Sequence, residues 1–180
     1  MMRGGGQQAR SQSGKVECLN AGHARCALFR LRFGRKSHSM NASISGKPII
    51  AVVGLSNRPD RPSYDVSGYL QQHGYRIVAV NPMYAGTQIL GEHCHATLQE
   101  AAQTLAATGE RIDIVDCFRK SGDIPPIVDD AIAIGAGCVW MQQGIVNDAA
   151  ATKARAAGLV VIMDRCIKID HAMGILHGVL

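Results

Sequence analysis

The sequence predicts an α/β protein built on one open parallel sheet with helices on both faces. Short apolar runs recur at 48–53, 76–80, 111–116, 138–141 and 159–163. Segments of helical period lie between them, and glycines or prolines mark the joins. Repeated alternation of this kind, with short connections, is how a chain builds parallel strands joined by crossover helices.

Each element has a local reason. The run at 48–53 is continuously apolar, as expected of a strand covered on both faces. Residues 62–73 read as a helix: Pro62 stands in the first turn, and Tyr64, Val66, Tyr69 and Leu70 form an apolar stripe closed by Gly74. The second strand, 76–80, stops at Asn81-Pro82. A loop follows, with a short extended piece at 88–90, and then a helix over 98–106. The strand at 111–116 precedes a helix over 124–134 that Gly135 ends. The strand at 138–141 precedes a helix over 146–157 that Gly158 ends. The last strand is 159–163 and the last helix 167–176. The sequence shows no internal repeat.

Composition narrows the function. Apolar residues at 47% and charged residues at 18% describe a globular chain of 180 residues, enough for one domain with a buried core and a tail. Aromatic content of 4% argues against a platform that stacks single-stranded bases. Of the 19 basic and 14 acidic residues, eight basic and one acidic fall within residues 1–46, leaving 11 against 13 in the remainder. The net charge of +5 therefore belongs to the tail, and no nucleic-acid partner is expected. No apolar run approaches the roughly 20 residues that span a bilayer, so no membrane partner is expected either. The six cysteines follow no secretory hydrophobic region, and Cys94, Cys117, Cys138 and Cys166 are scattered singly. A reduced, cytoplasmic thiol set is the expectation. Small open sheets with apolar helices outside often pair, which makes a homodimer an expectation as well.

Residues 1–45 are rich in Gly, Ser, Gln and Arg and lack periodicity, which predicts a disordered basic extension ahead of a domain at 46–180. Three readings compete for it: an upstream start with Met40 the true initiator, an Arg-rich transit segment that would place the protein in an organelle, and a basic arm.

The candidate site lies where the first strand ends. Gly54-Leu55-Ser56-Asn57-Arg58-Pro59-Asp60-Arg61 joins a buried strand to a helix, the setting in which free amides and the helix dipole hold a phosphate. Ser56 and Pro59 stand where the second and third glycines of a dinucleotide-binding turn would be. Asn81 stands where an acidic residue would read the ribose of NAD. Ligands of open parallel sheets sit beyond the carboxyl ends of the strands. The other turns there are Asn81-Pro82-Met83-Tyr84, Asp116-Cys117-Phe118-Arg119, Gln142-Gln143-Gly144-Ile145 and Asp164-Arg165-Cys166-Ile167-Lys168.

Six runs in order carry a family resemblance: Ala51-Val52-Val53-Gly54-Leu55-Ser56, Arg61-Pro62-Ser63-Tyr64, Tyr75-Arg76-Ile77-Val78-Ala79-Val80-Asn81-Pro82, Ile114-Val115-Asp116-Cys117-Phe118-Arg119, Val139-Trp140-Met141-Gln142-Gln143-Gly144 and Met163-Asp164-Arg165-Cys166. Residues 47 to about 172 resemble the small CoA-binding proteins with a Rossmann-like domain, related to the CoA-binding domain of the succinyl-CoA ligase alpha subunit. The resemblance implies CoA as cofactor. Gly54, Ser56, Asn57 and Arg58 would face its pyrophosphate, with Arg61 on a phosphate. Asn81, Pro82, Met83 and Tyr84 would flank the adenosine end, Gln142, Gln143 and Gly144 would contact the pantetheine side, and Phe118 joins the site from its strand end. Ile167 departs from the family, whose members commonly carry proline there.

Cys166 follows the last strand, with Arg165 and Lys168 alongside to favour its thiolate, and a mixed disulfide with CoA is the reaction it suggests. His93-Cys94-His95 has the composition of a metal site. In an extended segment, however, Cys94 points away from both histidines, and no C-x-x-C or H-x-x-x-H completes a set, so no metal is expected. No nucleophile–base pair stands out, so no catalytic residue is assigned. The leading reading is a module that binds CoA or acyl-CoA without turning it over. The alternatives are an NAD(P)-dependent oxidoreductase, and a redox-regulated interaction protein acting through Cys166.

Overall fold

The computed structural model describes residues 46–176. The tail at 1–45 and His177 lie outside the described residues. Seven strands form one sheet: β1 (Ile49–Val53), β2 (Arg76–Val80), β3 (Gln88–Ile89), β4 (Glu92–His95), β5 (Ile114–Cys117), β6 (Cys138–Met141) and β7 (Val160–Ile162). Their spatial order is β3-β4-β2-β1-β5-β6-β7. Every pairing is parallel except that of β3 with β4, which is antiparallel.

Five helices cover the sheet: α1 (Pro62–Gln72), α2 (Leu98–Ala106), α3 (Ile124–Ala133), α4 (Asp148–Ala156) and α5 (Ile167–Ala172). Alternation along the strands divides the core in two. Ala51, Val80, Val115 and Met141 face one way and pack under Ala101 and Leu105 of α2, Val128 of α3 and Ala151 of α4. Ile50, Val52, Ile77, Ile114 and Trp140 face the other way, under Val66 and Leu70 of α1 and Ile167 of α5. Both faces of β1 and β6 are thus dry, which explains their unbroken apolar runs. Trp140 is fully buried, and its indole N–H donates to the Arg165 carbonyl at 2.7 Å. That bond satisfies the ring's polar atom inside the core.

Three expectations change. The segment after 90 is a strand, β4, joined to β3 by a tight reversal in which Leu90 (φ 54°) and Gly91 (φ 79°) take left-handed backbone. Helix α4 begins at Asp148 and not at 146, because the Asn147 side chain caps it by accepting from the Ala150 amide at 2.9 Å. Helix α5 closes at Ala172 with a turn through Gly174 (φ 72°), short of residue 176.

Among the described residues no helix is long and apolar enough to cross a membrane.

Candidate functional site

Since β1, β2 and β5 run parallel, their carboxyl ends share one edge of the sheet. The chain leaves β1 for β2 and β4 on one side and later returns to place β5 on the other. The crevice between β1 and β5 is therefore the point where strand order reverses. A cleft of about 430 Å³ opens there. The end of β1 contributes Gly54, Ser56 and Arg58, and the start of α1 contributes Arg61, Pro62 and Ser63. The end of β2 adds Asn81, Met83 and Tyr84, and the end of β5 adds Phe118 and Arg119. Three guanidinium groups and no carboxylate line this space, which is the electrostatic character of an anion site.

The walls are set by backbone bonds that continue the ladder past the strands. The Gly54 amide donates to the Val80 carbonyl at 2.8 Å, and the Phe118 amide donates to the Val53 carbonyl at 2.9 Å. Gly54 has φ 92°, and a Cβ placed on it would lie 2.6 Å from the Phe118 carbonyl oxygen. Glycine is required here twice, for its left-handed backbone and for the closeness of β5. The following turn is held by hydroxyls. The Ser56 amide donates to Ser63 Oγ at 3.1 Å, and the Arg58 amide donates to Ser56 Oγ at 3.2 Å. Ser56 therefore shapes the turn, while the N-cap position of α1 belongs to Arg61, whose side chain makes no capping bond. Arg58 also grips Asp60 through two bonds, of 3.1 and 2.9 Å, at an exposed position. The Arg58 guanidinium beside Asp60 holds that carboxyl below its usual range.

Asn81 is buried, and its side chain bonds on both its nitrogen and its oxygen. Its Nδ2 donates to the Leu55 carbonyl at 2.8 Å, and its Oδ1 accepts from the Met83 amide at 3.1 Å. The residue ties the β1 turn to the β2 turn and fixes the floor of the cleft. Met83 beside it is 79% exposed, a large apolar side chain left at the rim.

The model for the CoA binding domain family matches residues 49–172. The chain belongs to that family. YneT of Bacillus subtilis, an uncharacterized protein, is 41% identical over 124 residues, which cover 69% of this chain and 85% of YneT. A Thermus thermophilus protein of known structure, cell-free ID.343, is 32% identical with a TM-score of 0.64, covering 70% of this chain and 89% of its own. A hypothetical protein from Pyrococcus horikoshii OT3 is 35% identical with a TM-score of 0.62, covering 69% and 81%. The family and the Rossmann-like fold agree with the resemblance carried by the six runs.

Not every residue that the sequence suggests for the ligand lines the cleft. Gly54, Ser56, Arg58, Arg61, Asn81, Met83, Tyr84 and Phe118 line it together. Asn57 and Pro82 lie in its turns, while Gln142, Gln143, Gly144 and Cys166 sit further along the same edge. Gln142 is buried and donates from Nε2 to both oxygens of Asp116, at 2.8 and 3.0 Å. The Gly144 amide is taken by Asp164 Oδ1 at 2.6 Å, so Asp164 braces that loop. Cys166 is half-buried at the start of α5, against the core beneath α1. The cations expected to favour its thiolate are engaged elsewhere: Arg165 pairs with Asp170 at 2.9 Å and Lys168 with Asp65 at 2.7 Å.

The structure adds Ser63 and Arg119, which the sequence left out of the site. Outside the cleft lining, Asp116 is wholly buried in β5, where desolvation pushes its carboxyl up to about 7 against the opposing Gln142 bonds.

Proposed function

We propose that this protein binds coenzyme A or an acyl-CoA and holds it without turning it over. The observation that carries the reading is the arginine-lined cleft at the strand-order reversal, in a chain of the CoA-binding domain family. The turn at Gly54, Ser56, Asn57 and Arg58 receives the diphosphate, with Arg61 and Arg119 on its outer oxygens. The adenosine end lies along Asn81, Pro82, Met83 and Tyr84, where the exposed Met83 thioether offers a polarizable surface to the base. Phe118 forms the inner wall. The pantetheine arm runs along the edge past Gln143 and Gly144 and brings its thiol toward Cys166. We assign this function to residues 46–180.

Two features favour CoA over a nicotinamide dinucleotide. Asn81 is an amide already bonded to Leu55 and Met83, where a dinucleotide site carries a carboxylate to accept from both ribose hydroxyls. The buried acid nearest the cleft, Asp116, is held by Gln142 and does not line the cavity.

Titration calorimetry tests the reading. CoA is expected to bind at one site per chain, and NADH and ATP to bind much more weakly. Arg119→Ala, which removes a charged donor, is expected to cost about 1.5–3 kcal/mol, roughly 10- to 150-fold in affinity. Arg58→Ala is expected to cost less, because that side chain must first release Asp60. NADH binding as tight as CoA, or CoA affinity unmoved by Arg119→Ala, would remove the proposal.

A further inference from the structure

Strand β4 carries two histidines that the CoA cleft does not use. His93 and His95 are two residues apart and share one face of the sheet, while Cys94 between them is buried on the other face with Ile77 and Ala79. Helix α2 packs against the histidine face and brings Glu100 in its first turn. One ligand atom from each of His93, His95 and Glu100 lies within 4.8 Å of the others. The two imidazole rings are 4.9 Å apart and nearly perpendicular, at 77°.

His95 is the telling member. Its side chain is only 8% exposed, and its Nδ1 is buried without a hydrogen bond, 3.7 Å from Glu100 Oε1. A buried ring nitrogen left in this state is costly unless something else satisfies it. Glu100 has an ordinary structural duty, but that duty uses only one of its oxygens. Its Oε2 accepts from the Ala96 amide at 2.9 Å, one residue before the N-cap, while its own amide donates to the N-cap Thr97 Oγ1 at 3.2 Å. Oε1 is left facing the imidazole.

These side chains border a cavity of about 270 Å³ that shares no lining residue with the arginine-lined cleft. Glu92 and Thr104 line it as well. Arg76, the cation on its wall, is ion-paired with Glu110.

We propose that His93, His95 and Glu100 form a binding site for a divalent transition metal of the zinc class. Two imidazole nitrogens and one carboxylate oxygen are a donor set that such ions take, with a fourth position left for Glu92 or water. Bond lengths of about 2.0–2.2 Å put tetrahedral ligand atoms roughly 3.4 Å apart. The exposed His93 side chain has room to rotate by that amount. The expectation of no metal rested on the divergence of Cys94 and on the lack of a second Cys or His pair; the third ligand is instead a carboxylate from α2, five residues beyond His95.

Cobalt(II), used as the probe on chelator-treated, reduced full-length protein, tests the site by visible absorption. The expected result is intense tetrahedral d–d bands that saturate at a single equivalent, are displaced by Zn²⁺, and show no thiolate-to-metal band in the near ultraviolet. The last point matters because the chain has six cysteines, and Cys18, His23 and Cys26 of the tail offer a competing set. His93→Ala and Glu100→Gln are each expected to weaken binding by at least about tenfold. Glutamine still offers an oxygen to the Ala96 amide, so Glu100→Gln keeps the fold while removing the anionic ligand. A Cys18→Ser/Cys26→Ser variant is expected to bind unchanged. Absence of the bands, their persistence at full affinity in both ligand variants, or a thiolate band that vanishes with Cys18 and Cys26 would overturn the proposal and leave a plain histidine–carboxylate pair.

Discussion

Replacing Asp116 with Asn is expected to flatten the pH dependence of folding between about pH 4 and 8. Burial pushes the Asp116 carboxyl up from its ordinary 3.8 to about 7. In that interval the folded chain holds a proton that the unfolded chain has released, so stability falls as pH rises. The contribution is fully present below the unfolded value and gone once pH passes about 7. The loss is on the order of 4 kcal/mol. Asp60, Glu100 and Glu110 shift the opposite way, held low chiefly by Arg58, the Ala96 amide and Thr108 respectively, and they favour the folded state as pH rises from acid. The difference between wild type and Asp116→Asn isolates the buried group. Urea unfolding at a series of pH values reads it directly: the wild-type free energy should drop relative to the variant between pH 5 and 8. Parallel curves for the two proteins would mean that Asp116 titrates normally and that Gln142 is no evidence of a dry carboxylate.

Gly54→Ala is expected to damage stability and ligand binding together. The new Cβ would meet the Phe118 carbonyl oxygen at 2.6 Å and its carbonyl carbon at 3.2 Å, and that backbone is tied to Val53 by a ladder bond. Forcing the contact costs about 1–3 kcal/mol. Holding a non-glycine residue at left-handed φ adds about 1–2 kcal/mol. A total of roughly 2–5 kcal/mol should appear as a lower urea midpoint with an unchanged slope. Because relief can come only by moving β5 away from β1, the cleft should widen and CoA affinity should fall with it. Gly122→Ala is the control. Its backbone is not left-handed and a Cβ there meets nothing within 4 Å, so a change within about 0.5 kcal/mol is expected. A Gly54→Ala protein as stable as that control would contradict the close approach.

Much of this architecture was legible in the sequence because its signals are local. The run Ile49-Ile50-Ala51-Val52-Val53 is apolar on both faces, since helices cover both faces. Pro62 and Gly74 bracket α1 as their backbone chemistry requires. Strand β4 was not legible. Glu92-His93-Cys94-His95 has only one side chain in the apolar core, Cys94, and its place beside β2 rests on main-chain bonds. Strand β3, with two residues, carries no period at all.

The site divides along the same line. Gly54, Ser56, Arg58 and Arg61 are neighbours in sequence and were found together. Arg119 joins them through β5, and Gln142 reaches Asp116 across the β5–β6 pairing. Contacts of that kind depend on which strands lie side by side, and composition does not encode strand order. The same holds for Glu100, whose capping role is written in Thr97-Leu98-Gln99-Glu100 while its approach to His95 is not.

The central position of β1 also governs how the chain must be assembled during synthesis. One edge of β1 pairs early, with Ile50 against Ile77, but the other waits for Ile114. At about 5–20 residues per second, translation takes roughly 3–13 s to carry the ribosome from residue 50 to residue 114. For that interval the most apolar strand of the domain has an unfilled hydrogen-bonding edge. A nascent chain stalled before Phe118 should be a chaperone client, and the full-length chain after release should not.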